Sequence, residues 1–187
     1  MFVEKNWLDR FVLALPKGGH VLDLGCGGGE PIARYLIDRG YALTGVDASE
    51  KMIALCRKRF GRHIWLRADM RGAAMGRLFH GILAWDSLFH LRQEEQAAMI
   101  GKMARWLEPG GVMLFNTGPA RGEAIGCQFD EDIYHASLAP HEYRALFEEL
   151  GLLEVAFSPD DAATLGRSVW LVVKDHARPS GGAPAES

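Results

Sequence analysis

Short apolar runs and amphipathic stripes alternate along this chain, and the alternation predicts its elements. Residues 2–15 place Trp7, Leu8, Phe11, Val12 and Leu15 at helical spacing, and Pro16 ends that helix. HVLDLG follows as a short buried strand. Pro31 suits the first turn of a second helix, striped by Ile32, Leu36 and Ile37 and ended by Gly40. YALTGVD is the second strand, and Ser49 caps a helix over 50–60 that buries Met52, Ile53 and Leu55. HIWLRAD and LFHGILAWD are the third and fourth strands. A long helix over 92–107 turns Met99, Ile100, Met103, Trp106 and Leu107 inward, EPGG makes a turn, and GVMLFNTG is the fifth strand. After a long connection over 116–139, PHEYRALFEELG spaces Tyr143, Leu146, Phe147 and Leu150 as a helix. LLEVAFSP and RSVWLVVKD close the pattern, and the polar link between them is too short for a crossover helix, so they pair antiparallel.

Strand and helix alternate five times before that final hairpin. The pattern predicts an α/β fold: a doubly wound, mostly parallel seven-stranded sheet with helices on both faces and a C-terminal antiparallel hairpin. One domain spans 1–176, and the tail over 177–187 (ARPSGGAPAES) reads as disordered. On such sheets ligands sit beyond the carboxyl ends of the strands, where the strand order switches.

That location draws attention to residues 21–31, VLDLGCGGGEP. Gly25, Gly27, Gly28 and Gly29, with Cys26 among them, directly follow the first strand. One glycine suits a tight turn; four suit a backbone laid against a ligand. The dinucleotide fingerprint counted from Gly25 requires a third glycine where Glu30 stands, and an acid there opposes a pyrophosphate. Asp23 adds a second negative charge, so a ligand with a cationic end fits better. Asp47 ends the second strand, where a carboxylate accepts hydrogen bonds from both hydroxyls of a ribose. Asp69 ends the third, where an acid and a neighbouring backbone N–H read an adenine edge. Alone, Asp47 reads equally as a cap and Asp69 more readily as a turn acid; three acids at three successive strand ends favour the ligand.

Composition narrows the classes further. The chain has 187 residues, 48% hydrophobic and 24% charged, with net charge −3, which describes a globular domain and not a protein with the basic field of a nucleic-acid binder. Arg57, Lys58, Arg59 and Arg62 read as a solvated helix end. Cys26, Cys56 and Cys127 are scattered without a CxxC pair, against a disulfide framework or zinc knuckle and in favour of a reducing, cytoplasmic setting. Neither a signal-peptide pattern nor a membrane-spanning apolar stretch is legible. P-loop, GxSxG and histidine-rich metal patterns are missing as well.

VLDLGCGGGE, TGVDAS with Met52, RADM, LAWDSLFHL and LEPGGVMLF, in that order, resemble the class I S-adenosylmethionine-dependent methyltransferases, and most of all their small bacterial members of undefined substrate. The resemblance covers roughly residues 5–174. It implies that Gly25, Cys26 and Gly27 lie against the methionine part of S-adenosyl-L-methionine and that Asp23 holds its ammonium through water. It assigns the ribose to Asp47, the adenosine faces to Ala48 and Met52, and the adenine edge to Asp69 and Met70. Trp85, Asp86 and Ser87 would flank the methionine and the transferred methyl. Two departures stand out. His80 replaces the family's usual acid at the start of the fourth strand. The extra N-terminal helix that covers the cofactor in relatives does not precede the lead-in helix, which leaves the cofactor more exposed or covered by a neighbouring subunit.

The resemblance implies transfer of a methyl group to an O, N or C atom of a small molecule, with S-adenosyl-L-homocysteine as product, no metal, and a monomer or homodimer. The candidates for handling a proton are few. His90, just past the fourth strand, suits a base or else only shapes the pocket. Asp86 and His90 have helical metal-pair spacing but lack a third ligand. The 116–139 connection carries Phe129, Ile133, Tyr134, His135 and Leu138, with flexible points at Gly118, Gly122 and Gly126. It reads as an acceptor-side wall or lid in which Tyr134 and His135 touch the acceptor, or as a loop whose aromatics plug the core edge. Arg121 pairs an anionic acceptor or is solvated, and Trp65 and Trp170 belong to the core. A methyltransferase-like scaffold subunit and an NAD-dependent oxidoreductase are the alternatives; Glu30 and the final hairpin weaken the second.

Overall fold

The computed structural model is described over residues 2–128 and 131–176, with the side chains of 126–128 and 131–133 outside the description. Phe129, the side chain of Ile133 and the tail over 177–187 therefore lie outside the described residues. The elements run α1 (Lys5–Leu13), β1 (His20–Leu24), α2 (Ile32–Ile37), β2 (Ala42–Asp47), α3 (Glu50–Arg59), β3 (Ile64–Arg67) and β4 (Phe79–Ala84). They continue as α4 (Gln93–Trp106), β5 (Leu107–Thr117), β6 (Gly122–Gln128), β7 (Glu131–Ser137), α5 (Pro140–Leu150), β8 (Leu152–Asp161) and β9 (Arg167–Lys174).

Seven strands form one sheet in the order β3-β2-β1-β4-β5-β9-β8. The first five are parallel, and β9 runs antiparallel to both β5 and β8. The sheet therefore matches the predicted doubly wound architecture with its C-terminal hairpin. The order reverses between β1 and β4, so the chain leaves those two strands in opposite directions and opens a crevice at their carboxyl ends.

Both faces of the sheet are covered, which is why its central strands are apolar without alternation. On one face Val21, Leu43, Leu83 and Leu114 pack with Phe11 of α1, Leu36 of α2 and Ile53 of α3. On the other, Leu22, Leu24, Ile82, Met113 and Phe115 pack with Met99 and Met103 of α4 and Tyr143 and Phe147 of α5. Helix α1 lies so close to the sheet that a Cβ on Gly81 would stand 2.5 Å from Phe11 Cζ. His80, in place of the family's acid, accepts the His20 backbone N–H at Nδ1 over 3.1 Å and so stitches the start of β4 to β1.

Three sequence expectations are corrected. Met52 and Leu55 are 40% and 38% exposed, not buried. Ile53 and Cys56 take the sheet-facing side of α3, and the other two turn toward the glycine loop, where both lie within 4 Å of a Cβ built on Gly28. EPGG is not a separate turn: β5 runs from Leu107 through it, with the pairing to β4 shifting between Phe79↔Leu107 and Gly81↔Val112. The long connection contains a two-stranded sheet, β6 paired with β7, and Gly122 and Gly126 lie within β6 instead of acting as loop hinges.

Trp170 anchors the aromatic layer between the sheet and α5. It is fully buried, stacks on Phe157 at 3.8 Å between ring centroids, and donates its indole N–H to Thr117 Oγ1 at 3.0 Å. Trp170→Ala is expected to cost about 3–5 kcal/mol through the cavity and the lost indole hydrogen bond; urea unfolding monitored by circular dichroism measures it.

Candidate active site

The chain leaves β1 through Gly25, at φ +77°, where a Cβ would stand 2.3 Å from the Ser87 Cβ. Only a glycine admits that approach. The turn after β1 thus rests directly on the segment after β4, across the switch in strand order. Ser87 Oγ donates to the Leu24 carbonyl at 2.7 Å and locks the contact. Asp47, at the tip of β2, accepts from Gly27 N–H at 2.9 Å with one oxygen and from Ser49 N–H at 2.8 Å with the other. It ties the glycine loop to the start of α3, and each carboxylate oxygen keeps a further acceptor site. Ser49 caps α3 as expected, accepting from Met52 N–H.

Asp23 is 2% exposed, inside β1 between two buried leucines. No cationic side chain pairs with it among the described residues. Burial first, and the charge of Asp47 second, push its pKa up to about 7. Cys26 and Cys56 flank the loop, the Cys56 thiol donating to the Gly27 carbonyl at 3.2 Å; burial raises the pKa of both thiols, away from thiolate reactivity. Glu30 pairs with Arg34 at 2.8 Å on the surface.

The structure brings Gly25, Gly27, Asp23, Asp47 and Ser87 together and leaves Ala48 exposed on the rim beside them. Met70 is half-buried against the α4 side of the core. Asp69 is already engaged: it accepts the Arg71 backbone N–H at 2.9 Å and pairs with the Arg71 guanidinium, which holds its carboxyl below the usual range. Trp85 is turned into the core on the α1 side, 4% exposed, with its indole N–H unpartnered.

Asp86 adopts φ +47°, unusual for a residue with a side chain, and its contacts account for it. Its two oxygens take Arg167 Nε and Nη2, each at 2.6 Å. Asn116 closes a reciprocal pair, donating to Asp86 Oδ1 at 2.8 Å and accepting Asp86 N–H at 2.7 Å. These three residues form the base of a cavity of about 750 Å³, walled by Phe89, His90 and His135 and by Glu123 and Ala124 of the hairpin. Asp86 and Ser87 are neighbours, so the glycine crevice and this cavity meet at the end of β4.

His90 Nδ1 lies 3.2 Å from the Tyr134 carbonyl, which only accepts, so that nitrogen carries the hydrogen and neutral His90 keeps its lone pair on Nε2. The His135 ring is 5.1 Å from that of His90 and 4.9 Å from Phe89. Burial first, and His90 second, lower the His135 pKa. Tyr134 does not line the cavity; its side chain faces Glu123. Arg121 pairs with Glu142, and Arg167 spends its remaining nitrogen on the Thr164 carbonyl. Sequence reading missed Asn116 and Arg167. Each is an ordinary strand residue until the antiparallel register places Thr117 opposite Ser168 and brings Arg167 to the end of β4.

Residues 21–111 match the family described as methyltransferase domain. The chain is 31% identical over 117 residues to YqeM of Bacillus subtilis, a match covering 59% of this chain and 47% of that protein; the chain thus spans about half the length of this curated relative. An S-adenosylmethionine-dependent methyltransferase from Clostridium acetobutylicum superposes with TM-score 0.74 at 14% identity, covering 92% of this chain and 90% of that one. The amino pentose methyltransferase CalS10 from Micromonospora echinaspora, solved with S-adenosylmethionine bound, superposes with TM-score 0.72 at 19% identity, covering 91% and 89%. At these identities the superpositions establish the fold. Among the described residues, no helix is long and apolar enough to cross a membrane.

Asp23 sets a pH signature for the unliganded protein. Its carboxyl ionises near 3.8 when unfolded and only near 7 when folded, so stability present at low pH is lost as pH rises through that interval. Asp23→Asn is expected to raise unfolding free energy by on the order of 3 kcal/mol at pH 8 and by little at pH 4, read from urea unfolding at both values.

Proposed function

We propose that the chain is a class I S-adenosylmethionine-dependent methyltransferase, as its match to the methyltransferase domain over residues 21–111 supports, and that it transfers a methyl group from S-adenosyl-L-methionine to an uncharged or basic nitrogen or oxygen of a small molecule. One observation carries the reading: a buried carboxylate without a counter-cation, Asp23, beside a glycine turn held by Asp47. That pair suits a ligand with a cationic amino-acid end and a ribose.

Asp23 offers its charge to the ammonium, and the bare backbone at Gly25 and Gly27 makes room for the methionine chain. Asp47 accepts the ribose hydroxyls, and Met52, exposed toward the loop, covers the adenosine. When bound, S-adenosylmethionine supplies an electrophilic methyl on a sulfonium, so the protein's work is to position an acceptor in line with it and exclude water. The acceptor occupies the cavity that adjoins the crevice at Asp86. His90 Nε2 takes the acceptor's proton as the new bond forms, while the Tyr134 carbonyl steadies the Nδ1–H side of the ring.

The charges in the wall support the choice of acceptor. Arg167, the arginine that lines the cavity among the described residues, is committed to Asp86 and the Thr164 carbonyl, and Arg121 is committed to Glu142. Among the described lining residues a carboxylate or phosphate would meet no uncommitted guanidinium, whereas Glu123 on the wall tolerates an amine.

Titration calorimetry with S-adenosylmethionine, S-adenosylhomocysteine and NAD tests the cofactor. Binding of the first two and not the third is expected; binding of NAD alone refutes the reading. Asp47→Ala is expected to weaken S-adenosylmethionine by about tenfold to a hundredfold while the fold persists, as two charge-assisted hydrogen bonds are lost. In an acceptor screen followed by mass spectrometry, His90→Gln is expected to lower kcat by about a hundredfold without changing cofactor affinity. Equal kcat in the two proteins removes His90 from the chemistry.

A further inference from the structure

Gln96 has no exposed surface, although it sits on a face of α4 otherwise given to Met99, Ile100 and Met103. Buried amides persist where their hydrogen bonds are all satisfied. Gln96 Nε2 donates to the Leu91 carbonyl and to the Ala136 carbonyl, each at 2.8 Å, and Oε1 accepts from the Tyr143 hydroxyl at 2.6 Å. Leu91 directly follows His90, and Ala136 directly follows His135. One buried amide therefore grips the backbone next to both cavity histidines, which arrive from different parts of the chain. Tyr143, fully buried on α5, completes the network: its hydroxyl accepts Leu138 N–H at 3.3 Å and lies 3.4 Å from Ser137 Oγ at the base of the hairpin.

We infer that Gln96 is a positioning residue of the acceptor site, setting the separation and orientation of His90 and His135, with Tyr143 holding the amide in register. The inference rests on the acceptor-site reading of the cavity. The geometry supports a role beyond filling space. An apolar side chain of equal size would pack as well against Met99 and Ile100, but it would release both carbonyls and leave the 5.1 Å ring separation to the His90–Tyr134 contact, the Phe89 ring and the more exposed Gln93–Ser137 bond. The charged groups facing the pair are Asp86, Arg167 and Glu123, and none of them changes when Gln96 is replaced.

Ring-carbon NMR of the histidines in the full-length protein tests this without knowledge of the acceptor. Wild type is expected to show a nuclear Overhauser contact between the His90 and His135 rings and a His135 titration below that of free histidine. In Gln96→Met the contact is expected to weaken at least threefold and the His135 midpoint to move up toward the free value. Calorimetry on the same samples is expected to show unchanged affinity for S-adenosylmethionine. Tyr143→Phe, which keeps both Nε2 bonds, is expected to move the same signals in the same direction by less, and it carries the test if Gln96→Met does not fold. Unchanged His90 and His135 signals in a folded variant overturn the inference. So does an equal shift of His63, just before edge strand β3, and His80, at the amino end of the central strand β4, which marks a merely structural role. If wild type binds no S-adenosylmethionine, the functional reading fails, while the histidine signals still decide whether Gln96 positions the pair.

Discussion

A carboxylate buried in a β-strand without a counter-charge is costly, and the arrangement around Asp23 follows from that cost. The strand itself has no freedom to expel it. Val21 on one face and Leu22 and Leu24 on the other fix β1 between two helical layers, and the alternation of the pleat points Asp23 to the α1 side, one residue before the strand ends. Asp47 adds a second negative charge instead of relieving the first. The unliganded protein is thereby poised for a cation at one place, beside a turn whose glycine already touches Ser87 and leaves open backbone above it. Stability is given up at neutral pH, and on the proposed function a ligand that brings the missing charge returns it.

The end of β4 joins two halves with different constraints. Ser87 belongs to the crevice through its contacts with Gly25 and Leu24. One residue earlier, Asp86 belongs to the cavity through Arg167 and Asn116. The family match ends at residue 111, so it contains Asp23, the glycines, Asp47 and the β4 end. Asn116, Glu123, His135 and Arg167 all lie beyond it. Similarity therefore covers the glycine crevice, and the cavity has to be read from its own chemistry, where a committed arginine and a pair of histidines are the informative features.

The glycine crevice was legible in the sequence because its signals are local. Apolar runs ending in glycine or aspartate mark a strand tip whatever the rest of the chain does, and Ser49 announces a helix within four residues. The cavity half depends on contacts far apart in sequence. Nothing near Arg167 indicates Asp86, and Gln96 looks like any polar helix residue until α5 and the hairpin close over it. The hairpin itself was missed for a different reason: its first strand, GEAIGCQ, is built from small and polar residues with two glycines, whose β propensity is weak, so pairing rather than composition makes it a strand. Met52 and Leu55 show the reverse error, in which an apolar helix residue taken for core faces a ligand crevice instead.

The most direct test of the central claim is the proton balance of cofactor binding. S-adenosylmethionine is titrated into the protein by calorimetry from pH 5.5 to 8, in buffers of different ionisation enthalpy. Asp23 must surrender its proton to meet a cation, so proton release is predicted below about pH 7, with affinity falling by on the order of tenfold per pH unit on the acid side. Asp23→Asn should abolish both effects. An affinity that stays flat across this range with no net proton exchange in wild type would contradict the account.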